Sequence, residues 1–189
     1  MTRLKIALLN AAHAADDTQR NFVRELDADV VEFRCPSGEL PESFAFDGFV
    51  VTGSAASVYW DEAWIGRLKT WVGGAVEAGL PALGVCYGHQ LLADVLGGRV
   101  EDMGEYEIGY REIEQRGDDP MFAGLTDPVI AFQTHSDRVA ELPAGAVELG
   151  RNDYGIQAFR QGASYGLQFH PEYDRQTAEW ILESKELDA

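Results

Sequence analysis

The chain has 189 residues, 46% of them hydrophobic and 11% aromatic, which suits one core better than two, and we predict a single domain over residues 1–189. Its 32 acidic residues against 15 basic ones give a formal net charge of −17, which would repel a nucleic acid backbone and disfavours DNA or RNA as a partner. This excess of carboxylates is typical of proteins adapted to a salt-rich cytoplasm, and an ordinary acidic cytosolic protein is the alternative.

The first half of the chain is predicted to alternate strands with helices. Apolar runs indicate buried strands at Leu4–Leu9, Val30–Phe33, Gly48–Thr52 and Ala82–Cys86. A first helix is predicted at Asp16–Asp27, with Phe22, Val23 and Leu26 facing inward. A second is predicted to begin near Asp61, and its apolar stripe consists of Trp60, Trp64, Leu68, Trp71 and Ala75. A third is predicted at Tyr87–Leu96. This alternation predicts βαβ units and a parallel sheet with helices on both faces.

The second half is predicted to be mainly strands. Short strand-like segments occur at Tyr106–Ile113, Val129–Gln133, Ala146–Leu149, Ile156–Phe159 and Tyr165–Phe169. The last two form a predicted hairpin with Gln161 and Gly162 between them. A final amphipathic helix is predicted at Arg175–Leu187, carrying Trp180, Ile181 and Leu187.

Cys86 lies in a G-x-C-x-G segment between a predicted strand and a predicted helix. Glycines two residues before and two after, here Gly84 and Gly88, permit the sharp strand-to-helix turn of a nucleophile elbow. The N-terminus of the following helix would place amide N–H groups beside the sulfur and favour the thiolate. Cys86 is therefore predicted to be a nucleophile, and a buried inert cysteine at a strand end is the alternative.

A base for this cysteine is sought among four histidines: His13, His89, His135 and His170. His170 follows a predicted strand and precedes Pro171, which favours extended backbone at His170. Side chains two apart on an extended segment point to the same side, so Glu172 can reach the imidazole and fix its tautomer. The sequence therefore predicts a triad of Cys86, His170 and Glu172.

Several motifs, in this order along the chain, resemble the class I (triad) glutamine amidotransferases. They are VVTGSAAS at 50–57, GVCYGHQLLA at 84–93 and YGLQFHPE at 165–172, and the segments EIGYREI at 107–113 and THSDRV at 134–139 are similar to the glutaminase part of GMP synthase. The resemblance covers Asp47–Glu172. It implies a flavodoxin-like α/β fold with a mostly parallel sheet, helices on both faces and extra strands in the C-terminal half.

The resemblance implies hydrolysis of L-glutamine to glutamate and ammonia. Cys86 would attack the side-chain amide carbon, His170 would protonate the departing ammonia and then activate water, and Glu172 would orient His170. The family's oxyanion hole maps onto the backbone N–H groups of Ser54 and Tyr87. Ser54 stands where the GMP synthase pattern has the second of two glycines.

The same resemblance implies a set of substrate-binding residues: Gly53, Gln90 and a turn of Thr134, His135 and Ser136. Other interpretations of these residues stay open. Gln90 also fits an amide on a helix surface, and His135 also fits a plain loop residue. His89 and Asp137 are predicted to be structural, and Cys35 is predicted to be a packing residue.

The sequence contains neither a GxxxxGK[ST] loop nor an SGGxDS-like pyrophosphatase motif. The resemblance therefore implies a glutaminase that supplies ammonia to a separate ATP-dependent synthetase subunit. Two alternatives remain: a stand-alone γ-glutamyl hydrolase of the same fold, and a catalytically silent regulatory homologue, against which the intact triad argues. A cysteine hydrolase or chaperone-like protein of related elbow-bearing folds is disfavoured by the FHPE segment.

No metal or other cofactor is predicted, because His170 and Glu172 are engaged in the triad and no third ligand has a suitable spacing. Cys35 and Cys86 lack the spacing of a zinc site and are too few for a disulfide scaffold. No apolar run approaches the roughly 20 residues that span a bilayer, and the first ten residues lack signal-peptide features. We therefore expect a cytoplasmic protein without a membrane partner.

Overall fold

A mixed sheet organises the part of the chain that the computed structural model describes, residues 3–13 and 16–184. Its strands are β1 (Lys5–Asn10), β2 (Asp29–Arg34), β3 (Gly48–Val51), β4 (Ala82–Val85), β5 (Arg99–Gln115), β6 (Val129–Glu141), β7 (Val147–Asn152), β8 (Gly155–Gln161) and β9 (Ser164–Leu167). The helices are α1 (Asp16–Glu25), α2 (Ala63–Glu77), α3 (Tyr87–Val95) and α4 (Arg175–Ser184), with short 3₁₀ turns at Cys35–Ser37 and Pro120–Phe122.

The strand order is β2-β1-β3-β4-β9-β8-β7-β5-β6. Neighbours from β2 to β9 in this order are parallel, and the remaining neighbours are antiparallel. Since β3, β4 and β9 are adjacent and parallel, the segments that follow them leave the sheet at the same edge, which is where open α/β sheets bind ligands.

The core lies on both faces of the parallel strands, because successive residues of a strand point to opposite sides. On one face Leu9 and Val51 belong to a buried cluster to which α2 and α3 also contribute. On the other face Leu8 and Val50 pack with Phe22 of α1. The predicted α/β architecture with helices on both faces is confirmed. None of the described helices is long and apolar enough to cross a membrane.

The antiparallel pair of β5 and β6 is much longer than the predicted segments Tyr106–Ile113 and Val129–Gln133. The extra length is polar and shows little apolar alternation. It is held by the backbone ladder and by cross-strand ion pairs, Arg99 with Glu141 at 2.9 Å and Arg138 with Glu101 at 2.8 Å. Hydrophobic patterning misses the extension of β6 because two of the residues buried along one of its faces, His135 and Asp137, are polar.

Two predicted inward residues are exposed. Val23 is 48% exposed, because the inward side of α1 carries Phe22, and Leu26, just after the helix, packs on the same side one turn later. Trp60 is 46% exposed, because α2 begins at Ala63, later than the predicted start, and Trp60 precedes the helix.

The final helix is described as far as Ser184, so the predicted continuation to Leu187 lies outside the described residues. Its buried residues are Thr177 and Ala178, whereas Trp180, a predicted member of the apolar face, is 54% exposed.

Candidate active site

Two adjacent parallel strands, β4 and β9, bring the predicted catalytic residues to one edge of the sheet. Cys86 follows β4, and its amide donates a 2.8 Å hydrogen bond to the carbonyl of Leu167 at the end of β9. The chain continues from β9 to His170, whose amide donates to the carbonyl of Phe132 on β6 at 2.9 Å. The backbone at both predicted catalytic side chains is therefore anchored to neighbouring strands.

The elbow at Cys86 has the strained geometry that the glycine pattern predicts. With φ 54° and ψ −105°, Cys86 is the one non-glycine residue with positive φ in the described part of the chain. A Cβ at Gly84 would lie 2.2 Å from the carbonyl oxygen of Gly88, and a Cβ at Gly88 would lie 2.2 Å from that of Val51. Backbone thus approaches backbone too closely for any side chain, and the turn requires both glycines.

His170 and Glu172 form a buried pair beside Cys86. The His170 Nδ1 atom lies 2.9 Å from Oε1 of Glu172, and the two side chains are 2% and 4% exposed. Because the carboxylate accepts at Nδ1, that nitrogen carries hydrogen and donates. A Cβ at Gly53 would lie 3.1 Å from Cε1 of His170 and 3.7 Å from Cβ of Cys86, so the imidazole and the cysteine are neighbours across this glycine.

The environment of His170 favours its protonated form. Burial lowers the pKa of the imidazole, but the charges of Glu172 and Cys86 outweigh burial and raise the pKa to about 10. An imidazolium beside a cysteine favours the thiolate, which is the nucleophilic form. Glu172 is thus placed to hold both the ring and its charge.

The triad side chains line a cavity of about 730 Å³ at this edge of the sheet. The candidate substrate-binding residues line it too: Gly53, Gln90, Thr134, His135 and Ser136. The carbonyl oxygen of Thr134 lies 3.9 Å from Sγ of Cys86. Sequence segments that are far apart therefore form one concave site.

The two candidates for the oxyanion hole differ in their surroundings. Ser54 lines the cavity, and its Oγ accepts a 3.1 Å hydrogen bond from the amide of Ala56, which closes a local turn. Tyr87 is 1% exposed and its ring packs against Trp64, with ring centroids 5.9 Å apart. Its amide lies in the first turn of α3, where N–H groups lack a partner within the helix.

Three interpretations made from the sequence are wrong. Gln90 is not a surface amide: it is 3% exposed, and its Nε2 donates to the carbonyl of Asp137 at 3.0 Å and to Oε1 of Gln168 at 3.2 Å. His135 is not a plain loop residue, and the segment Thr134–Ser136 is not a turn, because all three residues lie within β6. Long cross-strand pairing with β5 overrides the local turn-forming residues of this segment.

Glu107 is a buried residue behind the cavity lining, and the sequence assigned it no role. It is fully buried on β5 opposite His135, with 2.8 Å between its Oε2 and the imidazole Nε2. Its carboxylate also accepts from Asn152 at 2.6 Å and from Gln157 at 3.1 Å. The sequence feature that could have pointed to Glu107 is its place at the start of the EIGYREI motif. Its role was not predictable from that motif because its partners lie on other strands.

Other candidates have structural surroundings. His89 is fully buried against Phe159, and burial lowers the pKa of its imidazole to about 3, so the ring is neutral. The carboxylate of Asp137 accepts a 3.0 Å hydrogen bond from the hydroxyl of Tyr59. Burial raises the pKa of the Cys35 thiol to about 12, which leaves it unreactive.

The described residues contain no group of three or more His, Cys, Asp or Glu side chains arranged to hold a metal ion.

Comparisons with known proteins point to one family. The family described as glutamine amidotransferase class-I matches residues 13–186. The chain is 42% identical over 126 residues to GMP synthase (glutamine-hydrolyzing) of Thermomicrobium roseum, covering 66% of this chain and 23% of that one. It is 35% identical over 149 residues to the same enzyme of Azoarcus sp., covering 71% and 28%. The chain spans roughly a quarter of the length of these relatives.

Solved structures show the same fold. A glutamine amidotransferase from Thermotoga maritima aligns with a TM-score of 0.86 and 25% identity, covering 97% of this chain and 83% of that one. A glutamine amidotransferase from Methylobacillus flagellatus aligns with a TM-score of 0.81 and 24% identity, covering 97% and 76%.

Proposed function

The chain belongs to the class I glutamine amidotransferase family, and we propose that it hydrolyses L-glutamine to glutamate and ammonia through a cysteinyl thioester. Cys86 is the nucleophile, His170 the acid and base, and Glu172 the residue that orients His170. The observation that carries this proposal is the buried His170–Glu172 pair beside a cysteine at a strained elbow, at the floor of a cavity.

In the first half-reaction the Cys86 thiolate attacks the side-chain amide carbon of glutamine, and the carbonyl oxygen becomes an oxyanion. The amides of Ser54 and Tyr87 donate hydrogen bonds to that oxygen, and one such donor contributes about 100- to 1,000-fold in rate. The C–N bond then breaks, and the nitrogen takes the Nε2 proton of His170 and leaves as ammonia. The product on the enzyme is a γ-glutamyl thioester.

In the second half-reaction His170 accepts a proton from water at Nε2, and the hydroxide attacks the thioester carbon. The same two amides stabilise the second oxyanion. Its collapse breaks the C–S bond, releases glutamate and restores the thiolate. Glu172 keeps Nδ1 as the donor throughout, so Nε2 is the nitrogen that exchanges protons.

The amino acid end of the substrate is proposed to lie against the cavity wall made of Gly53 and residues Thr134–Ser136. Gln90 also lines the cavity, and the hydrogen bonds from its amide nitrogen to Asp137 and Gln168 hold its side chain in place. We therefore assign Gln90 to the shape of the substrate pocket.

The ammonia is proposed to pass to a separate ATP-dependent synthetase of the GMP synthase type. The support is that the chain matches curated GMP synthases over about a quarter of their length. We place the reaction in the cytoplasm, where a catalytic thiol stays reduced.

A stand-alone γ-glutamyl hydrolase is the second candidate. The cavity of about 730 Å³ lies within the range that holds drug-sized ligands, so it has room for an amide with a larger leaving group than ammonia. The same triad would cleave such a γ-glutamyl amide.

The test is glutamate release from glutamine by the purified chain in molar salt, with and without an ATP-dependent GMP synthetase subunit. Cys86→Ala is expected to abolish turnover, because it removes the atom that forms the thioester. Cys35→Ala is the matched control, since this buried thiol lies outside the cavity, and it is expected to keep turnover.

Turnover by the chain alone that is lost in Cys86→Ala supports the glutaminase, and turnover only with the subunit supports a partner-gated glutaminase. Turnover that persists in Cys86→Ala refutes the assignment. Absence of glutamine turnover, combined with cleavage of γ-glutamyl-p-nitroanilide, would favour the hydrolase.

A further inference from the structure

Tyr173 stacks face to face on the imidazole of His170, with ring centroids 4.0 Å apart and ring planes 13° apart. We propose that Tyr173 is a positioning residue that fixes the plane of the His170 ring and stabilises its imidazolium form through its π face. This inference rests on the proposed glutaminase function. The triad motif of the sequence ends at Glu172, and nothing in the pattern assigns a role to the next residue.

The stack restrains a motion that the other contacts of His170 leave possible. Glu172 holds the ring at Nδ1, and Gly53 lies against its Cε1 edge. A hydrogen bond at one nitrogen still permits the ring to tilt about that bond, which would swing Nε2 away from the cysteine. The Tyr173 ring covers one face of the imidazole and blocks this tilt.

Tyr173 is itself braced by the aromatic ring of Phe132. The centroids of these two rings are 6.0 Å apart. The backbone carbonyl of Phe132 also accepts the hydrogen bond from the amide of His170. The stacking ring and the histidine backbone are therefore positioned by the same residue of β6.

The π face also acts on charge. An aromatic face attracts a cation within about 6 Å of its centroid, and more strongly in a desolvated site. His170 alternates between imidazole and imidazolium in the proposed cycle. The stack lowers the free energy of the imidazolium state. Burial, followed by the charges of Glu172 and Cys86, raises the pKa of Tyr173 well above its ordinary value, so the phenol stays neutral.

Other ionisable groups also share the surroundings of His170. Its own segment contributes Glu172 and Tyr173, the elbow contributes Cys86, β6 contributes His135 and Asp137, and α1 contributes Asp17 across the cavity. The Tyr173 variants below leave all the others in place, so a change in the titration of His170 reports the stack.

The experiment compares three variants with the wild type. Tyr173→Phe keeps the stacked ring, Tyr173→Leu removes it, and Tyr173→Met fills the site with an unbranched chain should leucine pack too loosely to fold. Tyr110→Leu is the matched control, because Tyr110 contacts Phe132 and is 59% exposed outside the cavity. Thermal unfolding checks that each variant is folded.

The first readout is the NMR titration of the His170 ring in ¹⁵N-histidine-labelled protein, and the second is kcat and KM for glutamine. Loss of the ring is expected to move the His170 titration to lower pH by roughly half a unit to one unit. It is expected to lower kcat about threefold to tenfold with little change in KM. Tyr173→Phe is expected to keep the wild-type titration.

Two results would overturn the proposal. One is a His170 titration that stays at its wild-type position in folded Tyr173→Leu or Tyr173→Met, and the other is an equal shift in Tyr110→Leu. The NMR titration of His170 needs no turnover, so it tests the role of Tyr173 even if the wild type releases no glutamate. Absence of glutamate release by the wild type would count against the proposed function alone.

Discussion

Arg24 on α1 donates a hydrogen bond to the backbone carbonyl of Glu172, with 2.5 Å between Nη2 and the oxygen. The same guanidinium donates to Asp174 at 2.9 Å and to Asn21 at 3.0 Å. Arg24 therefore ties the segment that carries the proposed triad carboxylate to a helix almost 150 residues earlier in the chain. Such contacts around a reacting group keep it in productive geometry.

Arg24→Ala is expected to lower kcat for glutamine about threefold to tenfold, because the Glu172 segment loses its tether and His170 is oriented less often. Hydrogen exchange of residues 170–175 is expected to speed up in parallel. Arg67→Ala provides the comparison, as this arginine lies on α2 away from the cavity. Unchanged kcat and exchange in Arg24→Ala would show that the segment holds itself in place.

Glu172→Ala is expected to reduce kcat by up to about 10⁴-fold, which is milder than the loss in Cys86→Ala, since the nucleophile and the oxyanion donors remain. The matched control is Glu179→Ala, which removes an exposed carboxylate of α4. Steady-state kinetics at saturating glutamine measures both. A wild-type rate in Glu172→Ala would refute the orienting role.

Gly88→Ala is expected to destabilise the fold by about 2 kcal/mol or more, because the added methyl group would meet the carbonyl oxygen of Val51 at 2.2 Å. Gly66→Ala, in contrast, is expected to stabilise the fold. Nothing lies within 4 Å of a Cβ at this position in α2, and alanine favours a helix over glycine by about 0.5 to 1 kcal/mol. Urea unfolding measures both, and a tolerated Gly88→Ala would contradict the close approach at the elbow.

The stability of the protein is expected to depend on pH through His170. Its pKa is raised from 6.5 to about 10 in the folded chain, so the folded state binds the proton more tightly than the unfolded state does. The resulting stabilisation is complete below pH 6.5 and is lost as the pH rises towards 10. The difference in unfolding free energy between the wild type and His170→Gln should therefore shrink from pH 6 to pH 10, and a constant difference would contradict the ion pair.

The sequence predicts the parallel half of the fold well, for a local reason. Strands buried on both faces are continuous apolar runs, and the runs at Gly48–Thr52 and Ala82–Cys86 coincide with β3 and β4 almost to the residue. The elbow is equally local, since Gly84, Cys86 and Gly88 are near neighbours in the chain. The His170–Glu172 contact follows from a spacing of two residues on extended backbone.

The features that the sequence did not predict depend on contacts between distant segments, which local patterns do not encode. The burial of Gln90 follows from β6 lying over it, and the partner of His135 is a glutamate on another strand. The orientation of Val23 was decided by which side of α1 meets the sheet.

The sequence by itself thus determined where the candidate reacting groups of this protein lie, because the glycine-flanked Cys86 and the His170–Glu172 pair are each contained within a few residues. Only the tertiary structure decided what surrounds those groups. The Arg24 tether and the Tyr173 stack arise where the chain returns to the carboxyl edge of the sheet, and their geometry depends on packing among elements remote in sequence. Local conformational preferences fix the reacting groups, whereas long-range packing sets their orientation and charge.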